Sequence, residues 1–313
     1  MNRSVIVAAL AVLAAGSAAA QSVNIYGRLN ATVERQKPAN GDSQTVLQNN
    51  ASRIGFKGSE DLGGGLTAGF QIEHGFNVDT GGQSQGAFWA RQSEVFLGSS
   101  SLGVLRMGNF TSEAYYATAD YVSLHNHDTG TSADALYAYL GRDTNKVAYR
   151  APEFVKGLSI DASISLDEGV PGTSESYDLA ASYSMGALQL GAGFEKNGDA
   201  NQFAVRALYE LGDFTFGGYL QRDEDAFATG KRTNVRLSGM YTMGASEFHA
   251  NVGFAGKTGS IADSGANQFT LGYNYNLSKR TKVYGFYTKL NDKGAGLYGG
   301  DFSSIAVGMR HNF

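Results

Sequence analysis

The feature that most constrains this chain is a strict alternation of apolar and polar residues over unusually long segments. The segment VNIYGRLNATVER (23–35) places Val23, Ile25, Leu29 and Val33 on one face of a strand and polar residues on the other. A soluble strand averages five or six residues, whereas a tilted strand that crosses a membrane needs about nine to eleven. This segment therefore has the length of a membrane strand.

The same alternation recurs along the chain, in residues 177–184, 202–210, 214–221, 234–241 and 269–276. Backbone N–H and C=O groups in hydrocarbon must be paired, so a sheet in lipid cannot keep an open edge. Dividing the chain at its turns gives sixteen strands. The pattern predicts an all-β fold, a sixteen-stranded antiparallel transmembrane β-barrel, which is wide enough to hold an aqueous channel.

Short and long connections alternate between the predicted strands, which is typical of membrane barrels with short turns at one end and long loops at the other. All three prolines, Pro38, Pro152 and Pro171, are expected in connections, since proline cannot donate to a strand ladder. The short connections are expected at 60–65, 99–102, 185–186, 211–213, 243–244 and 277–280. The long ones are expected at 36–50, 77–86, 110–145, 167–175, 223–230, 256–265 and 291–300.

The connection 110–145, which we call the third loop, is the longest interval without a strand pattern. A structureless loop of this length in a compact domain is usually functional or disordered. It carries too many Tyr, Leu and Ala residues to be a solvated tail. We therefore expect it to fold inward into the hollow that the strands enclose, where it would act as a constriction loop.

The first twenty residues have the features of a secretory signal peptide. Arg3 supplies the positive charge, residues 5–15 are apolar, and Ala18 and Ala20 form a small-residue cleavage site. The apolar run is shorter than the ~20 residues that a membrane helix needs. The predicted organisation is a signal peptide at 1–20 followed by one barrel domain at 21–313.

Composition excludes several classes of function. The formal net charge of −4 argues against binding nucleic acid, which calls for a basic surface. The absence of cysteine rules out a disulfide framework and thiolate metal sites. No H-E-x-x-H motif and no evident catalytic constellation is present, so the sequence predicts no enzyme, no cofactor and no metal.

Four segments resemble the Gram-negative general porins of β-proteobacteria: SRIGFKGSEDLGGGLTAGFQIEHGF (52–76), RQSEVFLGSSSLGVLRMGN (91–109), NKVAYRAPEF (145–154) and GMRHNF (308–313). The resemblance implies a homotrimer of sixteen-stranded barrels in the outer membrane, surrounded by lipid and lipopolysaccharide. It also implies passive diffusion of small hydrophilic solutes and ions past an inward-folded third loop. The chain has Asn109 and Ala148 where the family often has arginine.

Charged side chains on the inward faces would set the field that solutes cross. Arg91 shares the parity of outward Val95 and Leu97, so it needs a bulge to point inward. Glu113 and Asp120, nearest the start of the third loop, are the preferred acids. The predicted basic wall is Arg28, Arg53, Lys57, Arg91, Arg106, Lys146 and Arg150, and the predicted acids of the third loop are Glu113, Asp120, Asp128 and Asp134. Because the cations outnumber the preferred acids, we expect a weak preference for anions.

The chain ends on Phe313, which shares a face with Ile305, Val307 and Met309. A terminal outward aromatic residue suits the interfacial girdle of a barrel and resembles the outer-membrane assembly signal. Three other readings remain open: a substrate-specific channel for sugars, phosphate or organic anions, an outer-membrane enzyme or adhesin that acts through its loops, and a soluble β-sandwich.

Overall fold

A computed structural model describes residues 22–120, 122 and 130–313, which form one antiparallel sheet. The second strand has two parts that both pair with the first, so the sheet counts sixteen strands, and the predicted barrel is confirmed. The strands are β1 (Ser22–Pro38), β2a (Gln44–Asn49) with β2b (Arg53–Gly63), β3 (Leu66–Gly75), β4 (Gln92–Ser99), β5 (Gly103–Asn109), β6 (Lys146–Arg150), β7 (Leu158–Ser165), β8 (Ser176–Met185), β9 (Leu188–Asn197), β10 (Ala200–Leu211), β11 (Phe214–Glu224), β12 (Lys231–Met243), β13 (Ser246–Ala255), β14 (Ala266–Asn276), β15 (Thr281–Asp292) and β16 (Phe302–Asn312). The predicted signal peptide lies outside the described residues.

The barrel closes where β1 pairs with β16. The register runs from Arg28 opposite Asn312 to Pro38 opposite Phe302. Beyond β16, Phe313 donates its N–H to the carbonyl of Gly27 at 3.1 Å and accepts the N–H of Gly27 at 3.0 Å. The last residue of the chain therefore continues the closing ladder, so the strand edge is paired as hydrocarbon requires.

The alternation read from the sequence sorts side chains between the two faces of the wall. In β1, Asn30 and Glu34 are buried, whereas Ile25 and Val33 are more than half exposed. Inside-out burial of this kind is what a barrel in lipid requires, because apolar residues face the acyl chains and polar residues face the interior. Tyr, Phe and Leu residues dominate the outer face on the other strands as well.

The prediction of a long connection at 36–50 is wrong. β1 continues to Pro38, and β2a begins at Gln44, so only residues 39–43 connect them. Pro38 is the last residue of a strand rather than part of a loop, whereas Pro152 and Pro171 do lie in connections. The prediction failed because this segment is rich in polar residues, which are typical of loops. Here many of these polar residues lie on the inward faces of paired strands.

The second strand is interrupted at 50–52, where Ala51 has a φ of 57°. Asn30 bridges the break, since its side chain donates to the carbonyl of Asn50 and its backbone N–H donates to Ser52 Oγ, both at 3.0 Å. These bonds replace the ladder bonds that the interruption removes.

Connections at the loop end of the barrel are the longer ones with one exception, the two-residue turn 198–199 between β9 and β10. At the other end the turn 151–157 is longer than its neighbours. Neither connection is among the bounds predicted from the sequence, although Pro152 was expected to lie in a connection. The third loop joins β5 to β6 and contains a short helix, α1 (Glu113–Thr118), and a 3₁₀ turn (Gly130–Ser132). Among the described residues, no helix is long and apolar enough to cross a membrane.

Candidate functional site

The third loop begins with α1, which is fixed at its first turn. Ser112 caps the helix by accepting the N–H of Tyr115 at 3.1 Å. The carboxylate of Asp178, on β8, accepts the N–H groups of Glu113 at 2.7 Å and of Ala114 at 2.9 Å. Free N–H groups at a helix start attract an anion, so an acid on the strand positions the helix against the wall.

The later part of the third loop is hydrogen-bonded to a row of polar side chains on the wall. Gln268 on β14 accepts the N–H of Ala135 at 3.0 Å, and Gln221 on β11 accepts the N–H of Ala138 at 2.8 Å. Glu195 on β9 accepts the N–H of Leu140 at 2.9 Å. These strand side chains supply partners for backbone groups that a loop without secondary structure cannot satisfy itself.

Small apolar patches hold the same segment. Val122 and Tyr137 pack in a buried cluster with Ala204 and Tyr219 of the wall, and Leu136 packs with Ala255, Ala266 and Leu290. The apolar residues that made the loop unlike a solvated tail are thus buried against strands β10, β11 and β13–β15.

One ion pair joins the loop to the side of the barrel opposite the predicted basic wall. Asp134 Oδ1 lies 2.6 Å from Arg236 of β12, and both side chains are almost fully buried. Arg236 also donates to Asn251 at 2.5 Å and to Gln268 at 2.7 Å, while Tyr219 donates to Asp134. Asp134 therefore pairs with a cation that the sequence analysis did not select, and not with the predicted wall.

The third loop contacts the predicted basic wall through Glu113. Its two carboxylate oxygens bind Arg106 of β5 and, at 3.2 Å, Arg150 of β6. Arg106 also lies 2.8 Å from Glu94, and Arg150 lies 2.6 Å from Asp161. Glu113 is therefore in direct contact with the cations instead of facing them across an open gap.

Arg53 and Arg91 converge on one carboxylate oxygen of Glu73, at 3.7 and 2.5 Å. Arg91 reaches it without the predicted bulge, because it precedes the first residue of β4, Gln92, and is not bound by the strand's alternation. The wall is thus a mixed row of charges, and the sequence analysis missed its acids Glu73, Glu94, Asp161 and Asp178.

Two adjoining cavities lie beside these arginines. The strand-side cavity, about 400 Å³, is lined by Arg28, Arg53, Arg91 and Glu73 among other residues. The loop-side cavity, about 430 Å³, lies against the third loop. Arg53, Arg91, Thr111 and Tyr116 line both. These four shared residues, two arginines from the wall and two residues from the loop, lie where the cavities adjoin, and we call them the neck.

Known proteins are similar to this chain in sequence. A family model described as Gram-negative porin matches residues 7–295. Outer membrane porin protein 32 of Delftia acidovorans is 33% identical, with all of both chains covered.

The chain belongs to the Gram-negative porin family.

Two solved structures share the fold with this porin. OmpF of Salmonella typhi, in complex with daunomycin, matches with a TM-score of 0.74 at 17% identity, covering 94% of this chain and 98% of that one. OmpT of Vibrio cholerae, in a trimer form, matches with a TM-score of 0.71 at 15% identity, covering 94% of this chain and all of that one. Family and fold together make the protein an outer-membrane general diffusion porin, and they point to a channel rather than to an enzyme.

The remaining predicted cations of the porin have different surroundings. Arg28 on β1 is almost completely buried, and its Nε donates to the carbonyl of Ala51 at 3.4 Å. Lys57 is exposed and lies 5.3 Å from the ring of Tyr26. Lys146 is also nearly buried and donates to the carbonyl of Phe110 at 2.9 Å, so it ties the two ends of the third loop together.

The other predicted loop acids divide as follows. Asp120 is buried beside the loop-side cavity, and its carbonyl accepts a hydrogen bond from Arg206 at 3.2 Å. Asp128 lies outside the described residues. Asp143, which was not selected from the sequence, lines the same cavity and accepts a hydrogen bond from Tyr139.

Burial shifts the protonation of groups in the third loop. It raises the pKa of Glu113 above its ordinary value, although Arg106 and Arg150 oppose the rise, and Asp161 adds to it. Burial likewise raises the pKa of Asp143. Glu113 therefore takes up a proton at a higher pH than an exposed glutamate.

The two sites where the family often has arginine are filled differently. Asn109 donates to the carbonyl of Ala90 at 2.8 Å and so fixes the chain just before Arg91. Ala148 is paired with Arg106 in the β5–β6 ladder. Because the side chain at 148 is a methyl group and carries no charge, it does not compete for the acids Glu94 and Glu113, which both pair with the guanidinium of Arg106.

Proposed function

We propose that this porin passes small hydrophilic solutes and ions down their gradients through a channel that the third loop narrows. The observation that carries the proposal is the neck, which Arg53 and Arg91 of the wall form with Thr111 and Tyr116 of the loop. Selection there is steric and electrostatic, since charged groups at a constriction set the field in a wet lumen.

The charges along the strand-side cavity favour a weak preference for anions. Among the described residues that line it, three are arginines, Arg28, Arg53 and Arg91, and one is an acid, Glu73. The acids interleaved on the rest of the wall limit the preference, because each lowers the local positive potential. The proposed selectivity rests on these three arginines rather than on the whole predicted wall.

The proposed assembly is a homotrimer in outer-membrane lipid and lipopolysaccharide, with Phe313 as the assembly signal. A trimer form of the similarly folded Vibrio cholerae protein supports it. We further propose that residues 1–20 are a cleaved signal peptide and that the protein catalyses no reaction.

Planar-bilayer recording across a salt gradient tests the channel and its selectivity. The expected result is stepwise openings with a reversal potential of the sign for anion preference. Replacing Arg53 and Arg91 together by Gln should shift the potential towards cations. Arg222→Gln is the matched control, because Arg222 is exposed and bound to Thr233 at 2.7 Å, away from both cavities.

If verifiably folded protein gave no openings, the proposal of a pore would be overturned. An unchanged reversal potential in the double variant would remove the two arginines from the solute path. Flux of uncharged sugars that saturates with concentration would favour the substrate-specific channel, whereas sugar flux linear in concentration supports general diffusion.

A further inference from the structure

The loop-side cavity has two chemically different walls. Guanidinium groups come from the barrel side and phenol rings come from the third loop. The described residues that line it are Arg53, Arg91, Thr111, Tyr115, Tyr116, Asp120, Tyr139 and Asp143. Its volume of about 430 Å³ is within the range of small-molecule sites.

The rings of the loop wall are held in a fixed cluster. Tyr115 is at its centre, with ring centroids 6.1 Å from Tyr116, 5.4 Å from Tyr139 and 5.7 Å from Tyr137, all in edge-on contact. Tyr137 in turn packs edge-on against Tyr219 of the barrel, at 5.3 Å. Rings already ordered by their neighbours lose little freedom when a further ring packs on them.

Two of these rings are accessible from the cavity. Tyr116 is 45% exposed and Tyr139 is 38% exposed, although both belong to the cluster. The hydroxyl of Tyr139 is engaged with Asp143 and the N–H of Ser112, so its ring is oriented. An aromatic solute would find ring edges and faces here, and aromatic pairs gain free energy beyond simple burial of area.

The opposite wall suits a carboxylate. Arg53 and Arg91 are directed to the same point by Glu73, which holds both guanidinium groups. A guanidinium presents a planar fork that matches a carboxylate with two parallel hydrogen bonds. Asp120 and Asp143 lie on the loop side of the cavity, where they repel a carboxylate and so favour its placement against the arginines.

We propose that the loop-side cavity is a binding site for small monocyclic aromatic carboxylates. The carboxylate binds Arg53 and Arg91, and the ring packs on Tyr116 and Tyr139. The inference rests on the proposed channel and adds a substrate class to its constriction. An aliphatic acid of the same size lacks the aromatic pairing with the tyrosines, and a neutral aromatic alcohol lacks the charged carboxylate for the arginines.

Single-channel recording with four solutes tests the site: benzoate, cyclohexanecarboxylate, benzyl alcohol and benzylammonium. Benzoate is expected to block the current in a saturable manner, with an affinity roughly two- to tenfold higher than that of cyclohexanecarboxylate. Benzyl alcohol and benzylammonium are expected to block more weakly than benzoate. Equal block by benzoate and cyclohexanecarboxylate, or stronger block by benzylammonium, would overturn the inference.

Tyr116→Leu should reduce the difference between benzoate and cyclohexanecarboxylate while the openings persist, because only Tyr139 is left to pack on the ring. Tyr177→Leu is the matched control, because Tyr177 is exposed at the start of β8 and its hydroxyl donates to Glu175. Undiminished discrimination in Tyr116→Leu would overturn the role of the ring, and the solute series on unmodified protein decides the matter if the variant does not fold. Absent openings would defeat the channel itself, whereas openings without discrimination would defeat only this site.

Discussion

The ring of Phe313 lies over Gly27 across the seam that closes the barrel. A Cβ atom on Gly27 would lie 2.5 Å from Phe313 Cζ and 2.5 Å from the carbonyl oxygen of Arg53. Both distances are shorter than any van der Waals contact allows. The backbone of Phe313 is hydrogen-bonded in both directions to Gly27 at the same point. The glycine therefore provides the space that lets the terminal aromatic residue pack against the first strand.

We expect Gly27→Ala to destabilise the barrel by about 1–3 kcal/mol, because the added methyl group overpacks the seam. Urea unfolding of the detergent-folded protein measures the change. Gly239→Ala is the control, since a Cβ there meets only ring atoms of Phe216 at 3.7 Å or more, an ordinary contact. Equal stability of the two variants would contradict the role assigned to the seam.

Asp134→Asn should loosen the third loop, because it leaves the buried Arg236 without its carboxylate. Removing one partner of a buried ion pair costs about 3–5 kcal/mol, and replacing both partners restores part of the loss. Urea unfolding and current noise in bilayers measure the two effects. The double variant Asp134→Asn with Arg236→Met should be more stable than the single variant. If Asp134→Asn had the same unfolding free energy and the same current noise as the unmodified porin, this ion pair would not hold the loop.

Acidification should move the reversal potential towards anion preference. The pKa of Glu113 is raised above its ordinary 4.5, so protonation begins at a higher pH than for an exposed glutamate. Each proton taken up removes a negative charge from beside Arg106 and Arg150, which makes the lumen more positive. Asp143 titrates in the same direction, since its pKa is raised as well.

Glu113→Gln isolates the contribution of Glu113. At neutral pH the variant should already have the more anion-selective potential, and its remaining response to acid should be smaller than that of the unmodified porin. Glu168→Gln, in the exposed loop 166–175, is the control and should leave the pH response unchanged. A shift towards cations on acidification would contradict the assignment.

Leu237→Arg should weaken the barrel through its outer face. Leu237 lies at the centre of β12 and is more than half exposed. An arginine facing lipid at the middle of the bilayer costs roughly 2–4 kcal/mol. Unfolding in lipid vesicles measures the loss, and Leu237→Phe, which stays apolar, should remain close to the unmodified protein. An equally stable arginine variant would place this face away from hydrocarbon.

Much of the fold was predictable because each strand carries its own pattern. The period-two alternation sorts Val33 from Glu34 in β1 without reference to any other strand, and repeated alternation at membrane length requires closure. The errors occur where that local rule fails. Residues 36–50 are polar enough to resemble a loop, yet 36–38 and 44–49 are paired strand. Pro38 is tolerated there because it ends β1.

The site was predictable only in part. Inward parity selects Arg53 and Arg106 because both lie within ladders, and the same parity applied to acids would have found Glu73 and Glu94. Arg91 could not be assigned this way, since it precedes β4 and its direction depends on Glu73.

The sequence by itself determined the strands, their inward and outward faces, the closed barrel and the length of the third loop, because these follow from local alternation and the need to pair backbone groups. Tertiary structure alone decided which charges neutralise one another. Asp134 and Arg236 are 102 positions apart, and their pairing depends on the course of the loop across the barrel. Pairing at such separation is set by the register of many strands, which no local pattern contains.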